Sequence, residues 1–245
     1  MSRTSETMHE IKTKGYWRVL LRPNKFSQNL ISTLADAKRI VEDNKVVLRG
    51  WDYPHVGREL PAASEDSIES VCNWPEGPVF EYWRYFLSGQ FVHYFATRED
   101  LRIEPEDAKR INAGFRFNTE DNNFTTFLDV LSTLYTITEI YLFASRLTQG
   151  GYLGESLHLE IELNGVNGRT LFFWDTGRDL MSTYTCNFSS DKIFLSQEID
   201  KAVIISDYAS LALKDTIKLF QCFNWEGVSI RLLEDEQRKF LERRL

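Results

Sequence analysis

Apolar and polar positions follow two different rhythms along this chain. Residues 16–22, Tyr-Trp-Arg-Val-Leu-Leu-Arg, alternate and are rich in β-forming side chains until Pro23 stops them, which predicts a first strand. Leu30, Ile31, Leu34, Ala37, Ile40 and Val41 recur at helical spacing, so residues 30–43 are expected as a helix that buries one stripe. Residues 45–51 read as a second strand, closed by Asp52-Tyr-Pro54. A strand–helix–strand unit of this length is expected to cross over and set its strands parallel, bringing Arg18 or Arg22 near Arg49, where the three would share one anion. Residues 57–77 then lose periodicity among Pro, Ser, Glu and Gly, which predicts a long excursion with one helical turn around 66–72.

Two aromatic runs, 79–87 and 90–98, flank Ser88-Gly89 and form the tightest hairpin signal of the chain. Glu81, Trp83, Tyr85 and Leu87 share one face, Tyr82, Arg84 and Phe86 the other, and Phe91, His93 and Phe95 make a matching row, so the hairpin is expected to be central and covered on both sides. The acidic stretch 100–121 predicts a surface segment leading to an N-cap at Asn122 or Asn123. From there an apolar helix is expected over 124–147, ended by Gln149-Gly-Gly151. Asp129 and Glu139 interrupt it, threonines dilute it and no Lys/Arg asymmetry flanks it, so it reads as a buried central helix and not a membrane span. Residues 157–163 alternate strictly, with His158, Glu160 and Glu162 outward, and 164–168 turn them into 169–175, a second hairpin with its polar face in solvent. A strand pair at 183–188 and 192–197 extends that sheet. The segment 203–206, a helix over 208–223, a short strand at 228–232 and a charged helix complete the chain. The pattern predicts an α+β fold: an aromatic-rich mixed or antiparallel sheet packed on a long central helix, with a C-terminal helical cap.

Composition narrows this in three ways. At 245 residues the chain can bury a large core as one unit, expected over 15–245, with residues 1–14 as a flexible polar arm. The net charge of −7 opposes non-specific binding to duplex DNA or anionic lipid, leaving nucleic acid only a local basic patch built from Arg18, Arg22, Lys25, Arg49 and Arg58. Cys72, Cys186 and Cys222 are odd in number and far apart, so they read as reduced core residues, and the polar N-terminus implies a cytoplasmic location.

Candidate chemistry is sparse. The four histidines carry no ligand spacing beyond Asp52 with His55, which reads as a structural hydrogen bond, so no metal and no cofactor is expected. Glu160, Glu162, Asp175 and Asp179 would have to gather for a metal-dependent nuclease at the acidic hairpin, and no lysine completes the set. No nucleophile elbow and no phosphate loop is present, so no catalytic residue is assigned. What stands out is charge among rings: Arg49, Trp51, Tyr53, His55, Trp83 and Arg84 combine anion recognition with stacking surfaces. Glu139 is the expected buried partner of one arginine and Glu81 of the other.

The blocks Arg49–His55 (Arg-Gly-Trp-Asp-Tyr-Pro-His) and Glu81–Phe91 (Glu-Tyr-Trp-Arg…Ser-Gly-Gln-Phe), with Thr138-Glu-Ile140, resemble a group of uncharacterised bacterial proteins in which this region sometimes follows a Schlafen/AlbA-type DNA-binding domain. The resemblance implies a standalone accessory module in a bacterial regulatory or anti-phage (antiviral defence) system and carries over no catalytic residue. The leading expectation is therefore a non-enzymatic cytoplasmic interaction module working with a partner protein, a second copy or a nucleic-acid complex. The alternatives are a sensor binding a nucleotide-like anion at an Arg/Trp pocket and the nuclease above.

Overall fold

The computed structural model of the chain describes residues 3–57, 62–74, 79–115, 123–175, 177–180 and 182–244. Its helices are α1 (Arg3–Lys12), α2 (Leu34–Asn44), α3 (Arg98–Arg102), α4 (Pro105–Gly114), α5 (Val130–Gln149), α6 (Lys201–Gln221) and α7 (Ile230–Leu241). Its strands are β1 (Tyr16–Pro23), β2 (Ala62–Ala63), β3 (Ser67–Trp74), β4 (Val79–Phe86), β5 (Phe91–Ala96), β6 (Phe127–Asp129), β7 (Ser156–Asn164), β8 (Thr170–Phe172) and β9 (Lys192–Asp200). Seven strands form one antiparallel sheet in the order β2-β3-β4-β5-β1-β7-β9, and β6 pairs with β8 in parallel. The fold is α+β, as the sequence pattern predicts.

Strict alternation puts Trp17, Val19 and Leu21 of β1, Trp83 and Tyr85 of β4, and Leu157, Leu159, Ile161 and Leu163 of β7 in the core, on the face covered by helices. The α5 helix lies against this face, with Phe143 edge-on to Phe91 at 5.0 Å. Fifteen of its twenty residues are buried, because α6 and α7 cover its other side; a helix apolar all round is a core helix. Its threonines fit that interior by bonding back along the helix, Thr133 to Asp129 O (2.8 Å), Thr138 to Leu134 O (2.7 Å) and Thr148 to Ala144 O (2.8 Å). Arg146 reaches across to donate to the carbonyl of Lys45, tying the end of α2 to α5.

Several expectations are overturned. Residues 45–51 are not a strand and no parallel crossover exists: α2 delivers the chain into a loop pinched by one Val46–Tyr53 bridge, and the strand after it is β2. Arg-Gly-Trp-Asp lacks the alternation a ladder needs, and its arginine has a partner elsewhere. The expected turn of helix at 66–72 is β3, paired along its length with β4. The expected loose arm contains α1, whose Thr7 and Ile11 are fully buried and whose Thr4 hydroxyl meets Glu69 on the outer face of the sheet. The central hairpin is thus covered by the core on one side and by α1 on the other, where Tyr82, Arg84 and Phe86 remain half-buried. Asn122 lies outside the described residues, and the central helix starts later, with Asp129 as N-cap accepting from Ser132 N.

The second hairpin does not form. β7 pairs with β1 and β9, while Arg169 turns inward, 1% exposed, to hold Asp100 through both Nη1 and Nη2 at 2.7 Å, which sends β8 to pair with β6 instead. Of the expected third strand pair only β9 exists; residues 183–188 contribute one bridge, Thr170–Thr185. Residues 203–206 belong to α6, which kinks at Asp207, and Ser229 caps α7 where a strand was expected at 228–232. Among the described residues no helix is long and apolar enough to cross a membrane.

Candidate functional site

The pinched loop is held from below. Val46 and Tyr53 exchange backbone hydrogen bonds of 2.7 and 2.9 Å, so residues 47–52 project as one unit over the end of β4 and β5. Glu81, buried on β4, accepts from the Trp51 indole (3.0 Å) and from His55 N (2.8 Å), and its Oε1 lies 2.8 Å from His93 Nε2. Burial would raise this carboxyl, but the His93 imidazole and these donors hold it below its ordinary range. A second clamp lies on the loop itself: Asp52 takes Lys45 Nζ at 2.8 Å and His55 Nδ1 at 2.5 Å, and the two together overcome burial and bring its carboxyl down to about 2.

Arg49 leaves the loop to meet α5. Its Nη2 donates to Glu139 Oε2 at 2.6 Å and to Thr136 Oγ1 at 2.9 Å, and its Nε contacts both Glu139 oxygens at 3.1 and 3.2 Å. Glu139 is nonetheless pushed up, because burial outweighs the arginine. The pair is a structural strut whose charges cancel.

Between the loop, α3 and the first turns of α5 lies a cavity of about 290 Å³. Trp17, Trp51, Trp74 and Phe95 supply its rings, with Trp51 stacked on His55 at 3.8 Å and on Trp74 at 6.2 Å. Arg49, Arg98, Arg102, Ser132 and Thr136 supply its polar lining. Among the described residues the side chains of Arg98, mostly withdrawn from solvent, and Arg102, exposed at the rim, make no hydrogen bond or ion pair. Burial lowers the Arg98 guanidinium to about 10, and Arg49 adds repulsion that Glu139 only partly offsets. A charge in that position without a partner costs stability unless something answers it.

Glu99 borders the same space and a smaller adjoining cavity of about 250 Å³ that it shares with Arg98, Arg102, Asp129, Ser132 and Trp174. It is 6% exposed, and its Oε1 accepts from Asp129 N at 3.0 Å. Burial, and then the nearby Asp129 carboxylate, push its carboxyl up to about 7. Asp129 is raised as well by burial, against its donors Ser132 N (2.7 Å) and Trp174 N (2.8 Å).

The residues singled out from sequence are only partly brought together. Arg49, Trp51 and Tyr53 line the cavity, and His55 backs Trp51. Trp83 is 1% exposed and fixes the loop from the core, donating to His55 O at 2.7 Å. Arg84 is a correction: it points from the opposite sheet face, donates to Ser67 Oγ (2.8 Å), lies 3.6 Å from Asp66 and sits 4.7 Å over the Phe86 ring. Glu81 is therefore not its partner. Arg18 pairs with Glu160 at 3.1 Å on the outer face, so no shared anion site with Arg49 exists, and Arg58 lies outside the described residues. The acids of the supposed hairpin do not converge: Glu160 takes Arg18, Glu162 lies 3.8 Å from Lys192, and Asp175 lies 3.7 Å from Arg178 beyond β8. Among the described residues no group of three or more His, Cys, Asp or Glu is placed to hold a metal ion.

Arg98, Glu99, Arg102 and Asp129 were missed because Arg-Glu-Asp-Leu-Arg reads as polar surface. The available signal was two arginines four apart directly after an aromatic strand, which one turn of helix sets on a common side. No protein-family model, no curated protein and no solved structure matches the chain.

Proposed function

We propose that the protein is a non-enzymatic binding module that senses a small anionic ligand bearing a flat ring, nucleotide-like in shape, in the cavity between the 46–53 loop, α3 and α5. The observation that carries this reading is Arg98, a largely buried arginine facing the cavity whose side chain has no hydrogen bond or ion pair among the described residues. Arg49 is answered by Glu139 at hydrogen-bond distance and so offers a wall, whereas the Arg98 and Arg102 side chains have no hydrogen bond or ion pair among the described residues, Glu139 and Glu99 attracting Arg98 only at longer range. Indole and phenyl faces beside guanidinium groups suit a ring attached to an anion. Of the exposed large apolar side chains, Trp74 lines the cavity and Trp174 the adjoining one, beside the same arginines, which suits a ligand that joins a ring to an anion.

The reading is tested by thermal denaturation with 5′-AMP, 5′-GMP and their nucleosides. A ligand selective for the native state at about one hundred times its Kd stabilises by about 2.7 kcal/mol, which for a chain of this size raises the Tm by roughly 5–10 °C. The expected result is a rise with nucleotide, a smaller one with nucleoside, and for Arg98→Gln a rise with nucleotide no larger than that with nucleoside. A Tm unmoved at millimolar nucleotide overturns the reading.

A further inference from the structure

The Arg98 cavity is also lined by a buried acid, Glu99, only one of whose carboxyl oxygens is bonded to another described residue. Glu99 Oε1 is committed to Asp129 N, while its Oε2 has no hydrogen-bond partner on another described residue, and Glu99 lines both cavities together with Arg98 and Arg102. An oxyanion lying across these two guanidinium groups would press against that carboxyl. As a carboxylate, Glu99 repels it; as a neutral acid, Glu99 donates its hydroxyl to it.

We infer that the cavity takes up its anion together with a proton: a phosphate or sulfate ester docks on Arg98 and Arg102, and Glu99 enters the complex as the neutral acid, donating a hydrogen bond to the bound oxygen. This rests on the ligand reading above and specifies its chemistry. Two guanidinium groups with no ion pair among the described residues match a doubly charged tetrahedral group better than a carboxylate, and the ring walls accept the esterified part. The charged groups facing Glu99 are Asp129 on the β6–α5 junction, Arg169 from the turn before β8, and Arg98, Asp100 and Arg102 on its own helix. Arg169 is fully engaged by Asp100 and by the carbonyls of Gly165 and Phe127, so it cannot turn to the ligand. Burial first, and then the nearby Asp129 carboxylate, make a negative charge on Glu99 unfavourable and keep its proton within reach of neutral pH.

The sign follows. Glu99 titrates near neutrality in the free protein, and a bound anion raises it further, so binding consumes a proton wherever free Glu99 is ionised and affinity falls as pH rises through about 7. The fall tends to about tenfold per pH unit above that point. Sulfate is the appropriate probe because it stays a dianion across this range, whereas a phosphate ester itself titrates at about pH 6.

The experiment is calorimetric titration of the full chain with sodium sulfate at pH 6.0 and 8.5, in two buffers of different ionisation enthalpy, with parallel titrations of 5′-AMP. The expected result is sulfate binding about tenfold or more weaker at pH 8.5, with uptake approaching one proton per anion there. Glu99→Gln should bind at both pH values as the wild type does at pH 6.0, and Arg98→Gln should lose at least tenfold at both. Proton uptake is read on the wild type alone, so a misfolded variant does not remove the test. Binding of AMP or sulfate with no proton uptake and no pH dependence overturns the proton coupling while leaving the ligand reading in place. Failure of both probes at millimolar concentration overturns both.

Discussion

Arg49 and Arg84 are chemically identical and flanked by similar rings, yet their burdens differ. The Arg49 side chain is 13% exposed and ends on a carboxylate that is 2% exposed, whereas Arg84 is 32% exposed and its nearest acid, Asp66, is largely in water. Removing one member of a buried pair strands the other, which costs about 3–5 kcal/mol in full burial, whereas an exposed pair contributes about 0–1 kcal/mol. Arg49→Ala is therefore expected to lower stability by about 2–4 kcal/mol, softened because Arg98 also attracts Glu139. Arg84→Ala should cost under about 1 kcal/mol. Urea denaturation of the two variants side by side checks this, and equal losses would mean that Glu139 is not held as described. The Arg49–Glu139 pair was legible from composition alone, since one acid in the middle of an apolar helix needs a cation. Arg98 was not, because nothing in a sequence says which surface-looking arginine is left without a partner.

At the scale of elements, the tightest turn carries the clearest expectation. Gly89 closes the β4–β5 hairpin with φ of +81°, and a Cβ there would lie 2.6 Å from the Tyr152 carbonyl and 2.9 Å from Leu30 Cδ2. Gly89→Ala meets a backbone conformation that L residues avoid and a carbonyl that cannot swing away, so a loss of about 2–3 kcal/mol is expected. Gly114→Ala, with open space around it at the end of α4, should cost nothing measurable or stabilise slightly. Equal denaturation midpoints for the two would contradict the turn geometry. The same contrast explains which elements could be read in advance. Elements defined by their own residues were legible: β1, the β4–β5 hairpin and β7 alternate, and α5 is long and apolar. Elements defined by a distant partner were not. The 45–51 segment is apolar enough for a strand but is claimed by Glu139 and Glu81, and 169–175 follows a good turn but is claimed by Asp100 through Arg169. In both places a buried arginine overrides the local pattern.

Across the whole molecule, the sheet is assembled from strands far apart in the chain. β1 lies between β5 and β7, so Val19 has His93 on one side and Ile161 on the other. The first half of the chain contains β1 to β5, four of them substantial strands and an intact hairpin, which raises the question of whether it could stand alone. Its inner face argues against it. Val19, Leu21, Trp83, Tyr85 and Phe91 are all at or below 1% exposure in the full chain, and the groups covering them include Phe143 on α5 and the leucines of β7. Cutting after residue 115 would leave that row facing water, at about 1.5–3 kcal/mol for each large side chain, against a net stability that for most domains is only about 5–15 kcal/mol. It would also free the β1 edge that β7 normally pairs, an invitation to aggregate. A fragment of residues 1–115 is therefore expected to show no cooperative urea transition and no near-ultraviolet circular dichroism despite its fourteen-residue hairpin core from β4 and β5. A sigmoidal transition with a native-like aromatic signal would mean that the α5 face is dispensable. The cavity would then straddle two separately stable units, because Arg98 and Trp51 come from one side of the cut and Ser132, Thr136 and Glu139 from the other.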